Sequence, residues 1–261
     1  MVLTIITPVY NGSKYLNSCI QNVANQWVPG IEHLILDGGS QDGTKEILVE
    51  ASEKFSHLQW ISEKDIGQSD AMNKGIKRAI GSWISFLNVD DFYEPHILPK
   101  ILQRIKNQQD WKGILVGNLT IWSENGDLLS VNKPGLVSLP FMLADIGEWP
   151  FNPSAYFYPK EIHEKIGYFP VNEHFAMDYD FFFKVLLNKI PIKYCNENWG
   201  NFRLLPEAKT SKDQNQNTSY LRAMEIRKKY FLLAPGLIQL QARFLIFFWA
   251  LRNKFYSILF K

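Results

Sequence analysis

Residues 3–12 read Leu-Thr-Ile-Ile-Thr-Pro-Val-Tyr-Asn-Gly, a short apolar run of strand character that leads into a turn. The arrangement recurs through the first hundred residues, because each short apolar run is followed by apolar residues at helical spacing. The predicted strands are 3–7, 33–37, 58–61 and 83–87. Alternating strands and helices of this length predict an α/β fold, with a mostly parallel sheet covered by helices on both faces.

The pattern loosens after about residue 110. It predicts a hairpin formed by 114–122 and 128–131 with an Asn-Gly turn between them, Pro-rich loops around 134–153, a short helix near 160–166 and a strand at 192–195.

The ends of these predicted strands carry acidic residues. Ligands of open α/β sheets bind beyond the carboxyl ends of the strands. Those ends deliver Asp37, then Asp65 in a following loop, then Asp90 and Asp91. Such carboxylates suit a nucleotide diphosphate held through a hard divalent cation with oxygen ligands. The alternative is that Asp90 or Asp91 only caps the turn that follows it.

Three classes of protein are disfavoured by motif and charge. The chain has neither a G-x-G-x-x-G turn nor a G-x-x-x-x-G-K-[ST] loop, which argues against a nicotinamide enzyme and a P-loop kinase. The formal net charge is +2, yet residues 221–261 hold eight basic residues and one acid, so the preceding body is acidic. We therefore expect no nucleic-acid partner, because such a partner needs positive charge along the binding groove.

Four motifs in order resemble family 2 glycosyltransferases with the GT-A fold. They are TPVYNG at 7–12, LDGGSQDGT at 36–44, EKDIGQSDAMNKG at 63–75 and FLNVDD at 86–91. The resemblance is close over residues 3–105 and weaker to about residue 205, and it is strongest to enzymes of bacterial surface-polysaccharide and lipopolysaccharide assembly. It implies a GT-A (Rossmann-like) mixed sheet and a hexosyltransferase that uses a nucleotide-diphosphate-sugar, with UDP-sugar favoured, and Mn²⁺ or Mg²⁺.

The resemblance also implies roles for individual residues. Those expected to bind the nucleotide-sugar are Thr7, Pro8, Tyr10, Asp37, Asp65, Asp70, Asn73, Asn88, Asp90 and Arg203. Asn88–Asp91 takes the place of the D-x-D metal motif, with Asp90 and Asp91 as the expected metal ligands. Asn88 replaces the first Asp of that motif, which lowers the ligand charge there. Arg203 would offset diphosphate charge or pair with a surface acid.

Inverting sugar transfer needs a carboxylate to deprotonate the attacking hydroxyl. The related enzymes carry Glu-Asp at the start of a late helix, and residues 174–183, His-Phe-Ala-Met-Asp-Tyr-Asp-Phe-Phe-Phe, match that place. Met177 replaces the Glu, and Asp178 is the expected base, with Asp180 as the alternative. Both acids could instead cap the helix and favour its positive end.

The chain divides by composition near residue 220. Residues 1–220 are predicted to form the catalytic domain, with 1–105 as the nucleotide-sugar half and 106–220 as the acceptor and base half; a polar loop is expected at 209–219. The basic tail, 221–261, is predicted to be helical. Its apolar and aromatic residues over 231–261 indicate an amphipathic helix on a membrane surface. Packing on the catalytic domain, or on a second subunit in a homodimer, is the competing interpretation.

These features predict a cytoplasmic enzyme peripheral on the inner face of the plasma membrane, acting on a saccharide or lipid-linked acceptor. The start of the chain lacks the pattern of a signal peptide, and the longest apolar run is too short to span a bilayer. A nucleotidyltransferase and a non-catalytic nucleotide-sugar-binding protein remain the alternatives, the second because Asn88 and Met177 depart from the family pattern.

Overall fold

The structure is a computed structural model that describes residues 2–108, 110–173, 175–206 and 218–259, with side chains described as far as residue 252. Its strands are β1 (Leu3–Val9), β2 (Ile31–Asp37), β3 (Leu58–Ser62), β4 (Trp83–Phe86), β5 (Phe92–Tyr93), β6 (Ile114–Ser123), β7 (Leu128–Asn132), β8 (Tyr156–Pro159) and β9 (Ile192–Leu204). Its helices are α1 (Ser13–Ala24), α2 (Thr44–Lys54), α3 (Gln68–Arg78), α4 (Ile97–Lys106), α5 (Leu139–Ala144), α6 (Ile162–Ile166), α7 (Met177–Leu187), α8 (Thr218–Leu233) and α9 (Gly236–Leu259).

Within the described residues the strands form one sheet in the order β3-β2-β1-β4-β8-β6-β9-β5, and β7 pairs with β6. The pairs β3–β2, β2–β1, β1–β4 and β6–β9 are parallel, whereas β8 runs antiparallel to both β4 and β6. The predicted α/β fold with a mixed, mostly parallel sheet is therefore confirmed.

The first half follows the predicted alternation because its strands are buried on both faces. Every residue of β1 and β2 is buried, which is typical of parallel strands covered by helices. Helix α3 approaches β1 closely at Gly75, where a Cβ atom would lie 2.4 Å from Cγ2 of Ile6. This approach places the first turn of α3 beside the carboxyl ends of β1 and β4.

The second half contains elements that the sequence did not predict. Strand β8 inserts between β4 and β6, and it falls between the loops predicted around 134–153 and the helix predicted near 160–166, where no strand was predicted. Strand β9 continues to Leu204, nine residues past its predicted end at Cys195, and its Trp199 packs against Gly117 of β6. The predicted Asn-Gly hairpin is confirmed, since β6 and β7 pair with Leu119 opposite Asn132.

The predicted helical tail is present as α8 and α9. Helix α8 buries Ile226 and Tyr230, and the Tyr230 hydroxyl donates a 2.8 Å hydrogen bond to Asp180 of α7. Helix α9 lies against α5. Across the described part of the chain, no helix combines the length and apolar character that crossing a membrane requires. The predicted loop at 209–219 lies mostly outside the described residues, and its last two residues belong to α8.

Candidate functional site

An open cleft of about 470 Å³ lies at the carboxyl ends of β1 and β4. Its lining includes five residues predicted to bind the nucleotide-sugar, namely Pro8, Tyr10, Asp65, Asn88 and Asp90. Tyr10 is 67% exposed, so its ring is free to stack on a planar group. Two carboxylates and an exposed aromatic ring thus meet at one edge of the sheet, as the strand-end argument predicted.

Thr7 and Asp37 do not line this cleft. Thr7 is fully buried, and its hydroxyl lies 3.0 Å from Nε2 of His33. Asp37 is 1% exposed and accepts hydrogen bonds from the Ser40 N–H at 3.1 Å and the Ser62 hydroxyl at 2.5 Å. Both side chains are buried and bonded within the protein, and their expected contact with the nucleotide stays a prediction.

Of the three predicted site residues in the third motif, Asp65 lines the cleft, whereas Asp70 and Asn73 do not. Asp65 lines the cleft and packs so closely on Gly38 that a Cβ there would lie 2.4 Å from Oδ2 of Asp65. Asp70 instead accepts from the Ile66 N–H at 3.2 Å and pairs with Lys74 at 3.1 Å, which fixes the start of α3.

Asn73 is 8% exposed, and both ends of its amide bond to the backbone of Phe169, at 2.8 and 3.0 Å. Its side chain fastens α3 to the loop at Phe169 and is absent from the lining of the cleft, so its expected place beside the nucleotide stays a prediction. Asp70 is likewise a helix-start residue outside the cleft.

The two adjacent acids of the NVDD motif point in different directions. Asp90 lines the cleft, whereas Asp91 is 1% exposed. The Asp91 carboxylate accepts from Nδ2 of Asn88 at 2.9 Å, Nδ2 of Asn152 at 2.8 Å and the Arg203 N–H at 3.2 Å. Burial and the neighbouring charge of Asp90 raise the pKa of Asp91 to about 7.

Asp91 therefore lies behind the wall of the cleft with three N–H groups bonded to its oxygens, and its expected role as a metal ligand stays a prediction. Over the described residues, no cluster of three or more His, Cys, Asp or Glu side chains is arranged to hold a metal ion. Of the two acids in the motif only Asp90 lines the cleft, and Asp65 is the other carboxylate in its lining. A single carboxylate still fits Mg²⁺, which is commonly held by one or two carboxylates together with substrate phosphates.

Arg203 lies beside the NVDD motif on β9. One guanidinium nitrogen donates to the Asp90 carbonyl at 3.2 Å, and the guanidinium carbon lies 4.7 Å from the centre of the Phe92 ring. The sequence left open whether Arg203 faces the diphosphate or a surface acid. In the structure it braces the Asp90 loop from the β9 side.

A second, smaller pocket of about 160 Å³ adjoins the cleft and contains Asp178. The two cavities share Gln68, Asn88 and Phe202 in their linings. Asp178 lies in the first turn of α7, and the Tyr156 hydroxyl of β8 donates a 2.5 Å hydrogen bond to its Oδ1. Burial raises the pKa of Asp178 to about 7, and the Tyr156 hydrogen bond opposes part of that rise.

Asp180, the alternative base, lies outside this pocket. It is 3% exposed, accepts from Tyr230 and pairs with Lys184 at 2.8 Å. Residues two apart on a helix project to nearly opposite sides, so only one of the two acids faces the pocket. Chemically, the site combines an acidic cleft with an adjoining carboxylate whose pKa lies near neutrality, the range that suits a general base.

Sequence reasoning missed Gln68, Tyr156 and Phe202. Gln68 begins α3 and donates from Nε2 to Oδ1 of Asn88 at 2.9 Å. It belongs to the third motif, in the segment between β3 and α3, and its position beyond the end of a parallel strand could have identified it as a candidate site residue. Tyr156 and Phe202 carry no such signal, because they reach the site only through the unpredicted β8 and the unpredicted extension of β9.

Comparison with known proteins places this architecture in a family. The family model described as Glycosyl transferase family 2 matches residues 4–158. Glycosyltransferase GlyA of Streptococcus pneumoniae serotype 4 is 31% identical over 123 residues, covering 47% of this chain and 17% of that protein. The chondroitin synthase of Escherichia coli is 32% identical over 129 residues, covering 49% and 19%. Uncharacterized glycosyltransferase RP339 of Rickettsia prowazekii is 30% identical over 190 residues, covering 70% and 58%.

Solved structures show the same fold. The crystal structure of S. aureus TarS 1–349 in complex with UDP-GlcNAc superposes with a TM-score of 0.70 at 20% identity, covering 92% of this chain and 69% of that one. This chain spans between 17% and 58% of the first curated relatives that it matches. Since the family model covers more than half of the sequence, the chain belongs to glycosyl transferase family 2.

Proposed function

We propose that this protein transfers a sugar from a nucleotide-diphosphate-sugar, with UDP-sugar as the favoured donor, to a saccharide or lipid-linked acceptor in surface-polysaccharide biosynthesis. The observation that carries the proposal is the joining of two cavities. The cleft with Asp65 and Asp90 lies next to the pocket of Asp178, and the two share Gln68, Asn88 and Phe202 in their walls. A leaving diphosphate and a base on opposite sides of one sugar need this arrangement. TarS, a fold relative, has been crystallised with UDP and with UDP-GlcNAc.

The nucleotide would occupy the cleft at the end of β1. Tyr10 is exposed there, and Pro8 forms the adjoining wall. Asp65 offers a carboxylate to donor hydroxyl groups, and Gly67, Gln68 and Ala71 line the cleft at the start of α3. The N-terminus of α3 adds partial positive charge near the phosphates.

Asp90 is the group that would hold Mn²⁺ or Mg²⁺ together with donor phosphate oxygens. A cation bound there would supply charge stabilisation to the diphosphate as it leaves. Asn88 in place of Asp reduces the protein charge available to the ion. Asp91 would stabilise the site from behind the wall of the cleft, because its hydrogen bonds from Asn88, Asn152 and Arg203 hold three segments of the site together.

Asp178 would act as the general base. The acceptor hydroxyl gives its proton to the Asp178 carboxylate while its oxygen forms a bond to the anomeric carbon. The bond from that carbon to the diphosphate oxygen breaks, and its electron pair leaves with the diphosphate. Attack opposite the leaving group inverts the anomeric configuration. A pKa of about 7 leaves a substantial fraction of Asp178 ionised at neutral pH.

Donor binding and turnover test this proposal. Isothermal titration with UDP, in the presence and absence of Mg²⁺ or Mn²⁺, measures occupancy of the cleft, and donor hydrolysis measures chemistry. We expect UDP to bind and hydrolysis to fall on addition of EDTA. Activity unchanged by chelation removes the metal from the proposal, whereas binding without any turnover favours the non-catalytic alternative.

The tail supports a membrane-bound acceptor. Helix α9 exposes Leu240, Phe244, Phe247, Phe248 and Trp249, each by 47% to 63%. Contiguous apolar exposure of this size marks an interaction surface. Arg243 and Arg252 lie on the same helix, and Arg227 and Lys228 lie on α8, so the surface is basic as well as apolar. Anionic lipid on the inner face of the plasma membrane provides both complements.

Vesicle binding tests the membrane proposal in the full-length chain. The variant Phe244→Ser/Phe248→Ser leaves the buried residues of α8 intact. We expect the parent protein to sediment with vesicles of anionic phospholipid and the variant to remain in the supernatant. The contrary result is a parent protein that does not bind vesicles but forms a dimer, detected by light scattering, that the variant does not form. That result would show that the apolar face of α9 binds a second copy of the chain.

A further inference from the structure

Gln68 and Asn88 lie in the wall that the two cavities of the site share. Both residues line the nucleotide cleft and also the Asp178 pocket. In the proposed reaction the anomeric carbon lies between the leaving diphosphate and the hydroxyl held by Asp178. The donor sugar must therefore pass these two side chains and enter the inner pocket.

The inner pocket is neutral and largely apolar apart from Asp178. Its apolar lining consists of Met72, Phe151, Pro153, Phe175, Met177 and Phe202. Its other polar side chains are the amides of Gln68, Asn88 and Asn152 and the hydroxyl of Ser219. Among the residues that the structure describes, no Lys, Arg or His lines this pocket.

Three described cationic side chains on elements that line the pocket are bonded elsewhere. Arg203 follows Phe202 on β9, but its guanidinium bonds the Asp90 carbonyl and lies over Phe92. Arg222 of α8 pairs with Glu173 at 2.8 Å. Lys74 of α3 pairs with Asp70. An anionic sugar entering the pocket would meet the Asp178 carboxylate without any of these charges to pair with it.

We infer that the donor sugar is uncharged, a neutral hexose or N-acetylated hexosamine rather than a hexuronic acid, and that Gln68 reads its hydroxyl or amide groups. This inference rests on the proposed function. Within the described residues the Gln68 side chain makes one hydrogen bond, to Asn88, so its carbonyl oxygen and second N–H are available to the sugar. Burying a carboxylate without a partner is far more costly than burying a hydroxymethyl group.

A matched pair of donors isolates this charge. UDP-glucose and UDP-glucuronic acid differ only at C6, and a panel of UDP, GDP, dTDP and ADP first identifies the base by thermal shift. If another base is preferred, the same comparison uses its hexose and uronate. We expect the uronate donor to bind at least about tenfold more weakly than the hexose donor in competition titrations. Gln68→Lys should reduce this ratio, whereas Gln68→Met should weaken both donors and leave the ratio unchanged.

The outcomes separate the inference from the proposed function. If no nucleoside diphosphate binds, the proposed function and the inference both fail. If the nucleotide binds and the uronate donor binds as tightly as the hexose donor, only the inference fails. A Gln68→Lys protein that binds UDP normally, yet keeps the full discrimination, would remove Gln68 from the sugar-recognition role.

Discussion

The hydroxyl of Tyr156 donates a 2.5 Å hydrogen bond to Oδ1 of Asp178, and Asp178 lines the inner pocket. Tyr156 is fully buried and its ring stacks on Phe181, one turn along the helix that carries Asp178. The phenol therefore has a fixed position, and it favours the ionised form of the carboxylate against the effect of burial.

Removing that hydroxyl should change the pH dependence of transfer. In Tyr156→Phe the ionised form of Asp178 loses its donor, so its pKa rises above about 7 and the base becomes protonated over a wider range of pH. A hydrogen bond to a charged group contributes about 1.5–3 kcal/mol, which corresponds to about one to two pH units. The acidic limb of the kcat/KM profile is expected to move to higher pH by that amount.

Tyr158→Phe is the matched control for this profile. Tyr158 is equally buried two residues along β8, but its hydroxyl bonds to Nε2 of His163 at 3.0 Å. Its acidic limb should remain within a few tenths of a pH unit of the parent value. Equal shifts in both variants would indicate a general change in packing instead of a specific bond to Asp178.

Substitution of the base should separate chemistry from binding. Asp178→Asn keeps the size of the side chain but cannot accept the proton of the acceptor hydroxyl, so transfer should fall by about 10²- to 10⁴-fold. The dissociation constant of the nucleotide, measured by titration, should change little, because Asp178 lies outside the nucleotide cleft.

Asp180→Asn provides the comparison on the same helix. Asp180 bonds Tyr230 and pairs with Lys184 outside the pocket, so this change should lower the free energy of unfolding while kcat stays within a few-fold of the parent. A reversal, with Asp180→Asn losing chemistry and Asp178→Asn retaining it, would exchange the roles of the two acids.

The two acids of the NVDD motif should respond differently to truncation. Asp91→Ala leaves three N–H donors without their acceptor, and an unsatisfied buried polar group costs about 1–3 kcal/mol. We expect urea unfolding to show a clear loss of stability. Asp90→Ala should cost less stability yet abolish the effect of Mn²⁺ or Mg²⁺ on nucleotide affinity, since Asp90 is the acid that faces the cleft. A metal effect that survives in Asp90→Ala but is lost in Asp91→Ala would return the ligand role to Asp91.

A methyl group at residue 38 should act on the nucleotide through Asp65. In Gly38→Ala the new Cβ would lie 2.4 Å from Oδ2 of Asp65, so the carboxylate at the end of that side chain must shift and weaken its 2.9 Å hydrogen bond from the Gly67 N–H. Nucleotide affinity should therefore fall by about tenfold with little change in unfolding free energy. Asp65→Ala and Gly38→Ala should be strongly non-additive in a double-mutant cycle. Additive losses would show that Gly38 affects the cleft by another route.

The first half of the fold was predictable because its strands are continuous apolar runs and its helices have regular apolar spacing. The hidden elements lie in the second half. Strand β8 is the four residues Tyr-Phe-Tyr-Pro, too short to show a period. In β9 the exposed and partly buried residues do not alternate cleanly, which concealed the nine residues after Cys195.

The location of the site was predictable from the sequence, but the orientation of each side chain was not. Strand order fixes which chain segments meet at the edge, so Asp65, Asn88 and Asp90 were located correctly in the cleft. Which of Asp90 and Asp91 faces the cleft was not predictable from the local sequence, because the partners of the buried Asp91 include Asn152 and Arg203, 61 and 112 residues away. Asn73 shows the same limit, because its partner, the backbone of Phe169, lies 96 residues away in sequence.

Helix α7 carries two acids with different surroundings. Its first turn holds Asp178, the proposed base, in the inner pocket, and Asp180 accepts a hydrogen bond from Tyr230 of the tail. Truncation of the chain near residue 220 would remove the Tyr230 hydroxyl that bonds the buried Asp180. It would also remove the packing of the tail on α7, the helix that carries Asp178. A tail-less protein is therefore an altered catalyst and not a minimal one. Whichever surface the outer side of the tail contacts, its inner side packs on α7, the helix that carries the proposed base.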